Sequence, residues 1–186
     1  MNEAERSQKD LTRGSAMTVE LRVSDAMTEE EQERLFRWGE AIFGPHDGLY
    51  QWRPKTLHVY VEEGGRVVGH VGLLEETVRA GGEEVRVCGV GGVVTRPEAQ
   101  GRGHARRAML RAHEIMRDET AAEFGMLYCR DELVPFYAAL GWQLVADENE
   151  FGQPAGPTLS PFNVMVLSLR GRRWPAGRVV VEGLPW

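Results

Sequence analysis

Cysteine is scarce in this chain. Of 186 residues only Cys88 and Cys129 carry thiols, and neither belongs to a CxxC pair or a Cys/His ligand spacing. That excludes a disulfide scaffold and a structural zinc module, and no metal is expected; both thiols lie in apolar, strand-like stretches where reduced core residues are usual. Long hydrophobic runs are lacking too. No stretch reaches the ~18 apolar residues of a membrane span, and the opening MNEAERSQKDLTRGSA is polar, without the apolar core of a secretory leader. The expected setting is the cytoplasm, with residues 1–16 a disordered tail before a single folded domain over 17–186. Nor is there an excess of basic residues. The 22 Lys and Arg against 28 Asp and Glu leave a net charge of −6, which argues against nucleic acid or an anionic membrane as the main partner.

What the chain does have is ordinary for a globular domain: 42% hydrophobic and 27% charged residues. A domain of this size hides about 70% of the surface its unfolded chain exposes, so it can fold without staples. The surplus is in glycine, with 22 residues.

Strand and helix signals alternate without a long linker. TVELRVSD (18–25) alternates apolar and polar residues as a strand does, and from Thr28 to Phe43 Leu35, Phe36, Trp38, Ala41 and Ile42 recur at helical spacing until Gly44-Pro45. TLHVYVEE (56–63), Gly64-Gly65, RVVGHVGLLEETVRA (66–80), Gly81-Gly82 and EEVRVCGVGGVV (83–94) read as an antiparallel meander. The period then changes. Ala105, Ala108, Met109, Ala112, Ile115 and Met116 form one apolar stripe of a helix over 103–120, followed by a strand at 124–129 and a short helix over 133–140 closed by Gly141. Two late strands, 142–147 and 162–169, are predicted to be separated by a Gly/Pro loop, with RVVV (178–181) as a final edge strand. The fold class predicted is α+β, a mixed and mostly antiparallel sheet with helices on both faces, and a C-terminal extension from about residue 171.

The most informative stretch is GVGGVVTRPEAQGRGHARRAML (89–110). A strand enters a turn containing Gly101 and Gly103, and a helix starts at once, so the free N–H groups of its first turn form an anion-binding end. Arg102, Arg106 and Arg107 crowd this positive end, where acidic residues are favoured, as if a bound anion were to answer the field. The Walker loop GxxxxGK[ST] is absent, and GRGHAR breaks the dinucleotide pattern GxGxxG at Arg106.

Gln100-x-x-Gly103-x-Ala105 resembles the [R/Q]xxGx[G/A] signature of the GCN5-related N-acetyltransferase superfamily, and PFYAALGW (Pro135 to Trp142) resembles that family's FYxxxGF segment. The similarity covers roughly residues 18 to 170. It implies an acyl-coenzyme A cosubstrate, acetyl-CoA or another. The main chain of Val93, Val94 and Thr95 would pair with the pantetheine arm as an added strand, and the amides of Gln100, Gly101, Arg102, Gly103, His104 and Ala105 would hold the pyrophosphate. Gly91 and Gly92 fall where the family has a β-bulge that aims an N–H at the thioester carbonyl, and Tyr137 falls on its general acid. The spacing of these motifs also resembles the aminoglycoside 2'-N-acetyltransferases, and the tail WPAGRVVV resembles that of nodulation N-acyltransferases. Acidic residues of the aminoglycoside enzymes are replaced here by Gly91 and by the TLSPF segment, which weighs against a polycationic acceptor.

An acceptor ammonium must lose a proton before it attacks. Val87 stands where some family members have a catalytic Glu. His70, Asp47 and Tyr128 are the remaining candidates for the base, with a water relay as the default; Glu75, Glu76, Glu83 and Glu84 read as solvated charges, and His113 as a surface residue without a partner. Asp47, Trp52, Tyr128 and Trp186 are the candidate acceptor-binding residues, with His46 beside them. The reading is an N-acyltransferase moving an acetyl or short acyl group to a primary amine, on a small molecule or a peptide, by direct attack; a homodimer is compatible with it. The alternative is a non-catalytic acyl-CoA sensor.

Overall fold

In the computed structural model, which describes residues 18–37 and 48–186, Thr28 opens the first helix. Its hydroxyl accepts from the Glu31 N–H at 3.2 Å while the Glu31 carboxylate accepts from the Thr28 N–H at 2.9 Å, and Glu29, Glu30 and Glu31 occupy the helix's positive end. This helix, α1, spans Glu29–Phe36 with Arg37 as its C-cap. The rest of the helix predicted to Phe43, the expected 1–16 tail, and the candidates His46 and Asp47 lie outside the described residues.

The meander forms as its alternation and Gly-Gly turns predict: β1 (Val19–Ser24), β2 (Leu57–Glu63), β3 (Arg66–Ala80) and β4 (Glu83–Thr95). After β4 come α2 (His104–Glu119), β5 (Phe124–Cys129), α3 (Val134–Ala138), β6 (Gln143–Val145), β7 (Asn149–Gln153), β8 (Gly156–Leu159), β9 (Asn163–Ser168) and β10 (Val179–Val181). The sheet runs β6-β9-β5-β4-β3-β10-β7-β8. The long β3 carries β2 along its first half and β10 at its end, and β1 pairs with β2. Among the described strands only β4–β5 and β10–β7 are parallel pairs. This mixed, mostly antiparallel α+β sheet with helices on both faces is the predicted fold class.

Two late predictions are corrected. The expected loop between residues 147 and 162 contains the β7–β8 hairpin, whose polar, glycine-rich strands lack the apolar alternation that marks a strand in sequence. RVVV is no edge: Val179 and Val180 pair with Ala80 and Arg79 on one side and with Asn149 and Glu150 on the other, which buries Val179 and Val181.

The α2 stripe packs on Val59, Val61, Val71 and Val90 on one face of the sheet. On the opposite face Leu35 of α1 meets Tyr60 and Val94. Strict alternation would put Val94 on the same face as Val90. It does not, because β4 carries an extra residue there: Gly72 pairs with Gly91 and His70 with Val94, so Gly92 and Val93 together stand opposite Val71. Gly92 has φ +57°, the left-handed conformation that a glycine bulge requires. The bulge switches the end of β4 to the other face, immediately beside the open part of the sheet.

Candidate active site

β4 and β5 pair only from Val87↔Phe124 to Val90↔Leu127; beyond that they part, leaving the β4 edge from Gly91 onward without a neighbour on that side. A cleft of about 760 Å³ occupies the divergence, lined from β4 by Val90 to Val93 and from the facing elements by Tyr128, Cys129 and Tyr137. A strand edge with free N–H and C=O groups can take an extended, amide-bearing chain as an additional strand.

At the far end of that edge the chain turns through Pro97–Ala99 into α2. Gln100 Nε2 donates to the Thr95 carbonyl at 3.1 Å and closes the turn. Gly101 and Gly103 have φ of +76° and +79°, with nothing within 4 Å of where a Cβ would stand. Gly103 caps α2 without a side chain, and Arg107 N–H returns to the Gly103 carbonyl at 3.1 Å. The main-chain N–H groups of residues 101–106 find no acceptor among the described residues, which leaves a cradle of donors at a helix N-terminus. Arg102 is held by Glu63 at 2.6 Å and by the Glu98 carbonyl at 3.0 Å, while Arg106 and Arg107 stay exposed. The His104 ring is buried, with neither nitrogen hydrogen-bonded, so only its amide is offered to a ligand.

Tyr137 is 5% exposed and sits on the short α3 at the cleft, its ring edge-on to Phe136 and Trp142. Burial, with the neighbouring Cys129 adding to it, holds its phenol well above the ordinary tyrosine value, so it keeps its proton at neutral pH. Burial likewise pushes the Cys129 thiol up to about 12, which leaves it protonated and a poor nucleophile although it lines the cleft.

The opposite wall joins Lys55 and His58, which sequence reasoning did not pick out, to residues that it did. Lys55, in the loop before β2, lies across glycines: a Cβ on Gly72 would fall 2.4 Å from its Cγ, and one on Gly91 2.7 Å from its Cε. Its ammonium donates to the Arg53 carbonyl at 2.8 Å, and burial, with Arg53 nearby, lowers its pKa to about 8. Beside it His58 Nδ1 and His70 Nε2 are 2.9 Å apart, and His70 Nδ1 is 2.7 Å from the carbonyl of Gly92, the bulge residue. The Trp186 indole fills the space over Gly89 and donates to the Met126 carbonyl at 3.1 Å, while its main chain borders Gly91. Trp52, Tyr128, Phe151 and Phe162 form an aromatic wall with centroids 5.7–6.3 Å apart.

A family model described as an acetyltransferase (GNAT) domain matches residues 24–145, about two thirds of the chain. The chain belongs to the GNAT family. No curated protein matches it. Among solved structures it is similar to a GNAT acetyltransferase from Brucella melitensis in complex with acetyl-CoA, at 20% identity and TM-score 0.55, covering 88% of this chain and 96% of that one. It is similar to the Escherichia coli GNAT protein YhbS in complex with CoA, at 18% identity and TM-score 0.54, covering 91% and 96%. It also resembles a GCN5-related N-acetyltransferase from Kribbella flavida, at 23% identity and TM-score 0.50, covering 68% of this chain and only 34% of that longer one.

As a GNAT domain the chain is an acetyltransferase with an acyl-CoA cosubstrate, acetyl-CoA or another, and its residues fit such a molecule: an open strand edge for the amide-bearing arm and free amides at 101–106 for the diphosphate. Acetyl-CoA supplies an activated thioester carbonyl. Of the predicted site residues, Val93, Tyr137, Trp52, Tyr128 and Trp186 come together around one cleft; Val94 and Thr95 continue the open edge, and the bend from Gln100 to Ala105 lies beyond the cleft's lining. Glu76 is ion-paired with Arg53, Glu75 accepts from the Ala121 N–H at 3.2 Å, and Glu83 pairs with Arg172 at 2.6 Å, so these carboxylates are engaged instead of merely solvated. His113 accepts the Trp142 indole N–H at 2.9 Å, which corrects the expectation of a partnerless surface residue. Lys55 and His58 were missed. A polar ring at His58, in phase with Tyr60 in an otherwise apolar strand, was the available signal. No group of three or more His, Cys, Asp or Glu among the described residues is placed to hold a metal, and no helix among them is long and apolar enough to cross a membrane.

Proposed function

We propose that the chain is an N-acyltransferase that moves an acetyl or short acyl group from coenzyme A to a primary amine of a small molecule or peptide, by direct attack with both substrates bound. The observation that carries this reading is Tyr137 at the cleft where β4 and β5 part, its proton retained by burial. The free edge over Val93 to Thr95 and the amides of 101–106 would hold the donor. The bulge peptide would supply an N–H toward the carbonyl that gains charge, a contact typically worth ~2.7–4 kcal/mol of barrier. Tyr137 gives its proton to the departing sulfur as charge develops there, which a phenol held protonated is suited to do.

Direct attack is supported by the state of the thiols. Cys88 and Cys129 are both buried and both pushed up to about 12, and neither has a histidine hydrogen bond, so an acyl-enzyme route lacks an activated nucleophile. Trp52, Tyr128 and Trp186 would border the acceptor, with Lys55 disfavouring a polycation. Thiol release from acetyl-CoA, followed across a panel of amines, tests the reading. Amine-dependent release without an acetylated protein by mass spectrometry is expected; tight acetyl-CoA binding with no transfer to any amine would instead favour a sensor.

A further inference from the structure

A main-chain carbonyl cannot donate a hydrogen bond, so the 2.7 Å contact between His70 Nδ1 and Gly92 O places a proton on Nδ1. In a neutral His70 ring, Nε2 is then the acceptor, and the 2.9 Å contact to His58 Nδ1 requires the second ring to donate. His58 also hydrogen-bonds the Lys55 carbonyl, and with Nδ1–H shared between that carbonyl and His70 a neutral His58 keeps its lone pair on Nε2. One carbonyl thus dictates the tautomers of two rings in series. His58 lines the same cleft as Tyr137 and the bulge.

We propose that His58, through Nε2, is the base that takes the proton from the acceptor's ammonium, and that His70 is the positioning residue that fixes its tautomer and couples it to the Gly92 bulge. The inference rests on the acyl-transfer reading above. In the step, an N–H bond of the ammonium breaks, its electron pair remains on nitrogen for attack, and the proton binds Nε2; the resulting imidazolium later gives that proton to water. The same bond on Gly92 O has a second effect. The Gly92–Val93 peptide is planar and trans, so drawing the carbonyl toward His70 turns the Val93 N–H the opposite way, away from that ring.

The surroundings keep the pair neutral. Burial lowers the pKa of both rings, that of His70 to about 3, and the Lys55 ammonium lowers them further; Glu31 on α1 opposes this for both, the Lys55 carbonyl does so for His58, and the Gly92 carbonyl does so for His70. Asp25, Arg53 and Arg130 also line the cleft, and Tyr60 lies against both rings. A base with a lowered pKa remains unprotonated further into the acid range. Among rival groups, Val87 is apolar and buried, Glu76 is paired with Arg53, and the Tyr128 hydroxyl is pushed up by burial.

The test combines kinetics with a readout that needs no substrate. Nitrogen-15 imidazole spectra of the full chain should show both rings as Nδ1–H tautomers at pH 7. His58→Gln should lower kcat about 100-fold with acetyl-CoA affinity unchanged by calorimetry. Its rate should also rise about tenfold per pH unit across neutrality, following the free amine, where the wild type is flat. His70→Asn, which can still donate to Gly92 O, should lose about tenfold in kcat and move the acid limb. An Nε2–H tautomer at His58, or a His58→Gln profile within twofold of wild type, overturns the relay alone. Wild-type protein that binds acetyl-CoA yet acetylates no amine overturns the acyl-transfer reading and the relay with it. Should His58→Gln fail to fold, the tautomer spectra and His70→Asn decide the matter.

Discussion

Gly89 and Trp186 occupy one space: a Cβ on Gly89 would fall 2.3 Å from the indole Cε2 and 2.5 Å from its Nε1. The absence of a side chain on β4 is what lets the last described residue lie flat on the sheet, 2% exposed, and donate to Met126. Gly89→Ala should therefore destabilise the protein by about 1–3 kcal/mol, as overpacking does. Denaturant unfolding checks this. Trp186→Ala combined with Gly89→Ala should cost less than the two single effects added, because the second change removes the clash of the first.

Tyr137→Phe removes the proton and leaves the ring. The expected result is a fall in kcat of roughly 10²–10⁴-fold with acetyl-CoA affinity held, measured by thiol release and calorimetry. The phenol acts only while protonated, and burial raises its pKa. Loss of the Tyr137 proton should thus cause no decline in wild-type rate up to about pH 10, the ordinary tyrosine value.

The bend should respond separately from the chemistry. Gly103→Ala places a side chain at φ +79° in open space, so the cost is conformational, about 1–2 kcal/mol, and falls on the cradle of amides. Acetyl-CoA affinity should drop about tenfold or more while the amine dependence of turnover is retained. Equal loss on substitution of Arg106, which is exposed, would show that side chains and not main-chain amides hold the anion.

Lys55 makes stability depend on pH. Its folded pKa is about 8 against an ordinary 10.5, so between those values the unfolded chain binds more protons and stability rises with pH. Below pH 8 the native state bears the whole penalty, on the order of 3–4 kcal/mol. Lys55→Met should stabilise the protein at pH 7, and its advantage should shrink as pH rises from 8 toward 10.5. Unfolding midpoints of both proteins at pH 7 and pH 9.5 check the sign.

Short-range chemistry was enough to read most of the elements. Apolar patterning marked β1 to β4, a short apolar run marked β5, the Gly-Gly pairs marked the meander's turns, and a change of period at Pro97 marked α2. The glycine bend before α2 was legible for the same reason, since two glycines and a helix start are local facts about main-chain conformation. The β7–β8 hairpin was missed because its strands are stabilised by neighbours and not by their own pattern, and β10 was taken for an edge because nothing in RVVV says that β7 lies beside it.

The sequence by itself determined the sheet-and-helix class, the glycine bend and the place of Tyr137, because each depends on residues a few positions apart. Only the tertiary structure decided what faces that tyrosine. His58 meets His70 because β2 and β3 pair in register with both rings on one face, His70 reaches Gly92 because one extra residue in β4 turns that carbonyl toward it, and Lys55 and Trp186 fit because Gly72, Gly89 and Gly91 present no side chains. These are contacts between distant segments, fixed by register and by vacant volume, and neither quantity is written in a local stretch of chain.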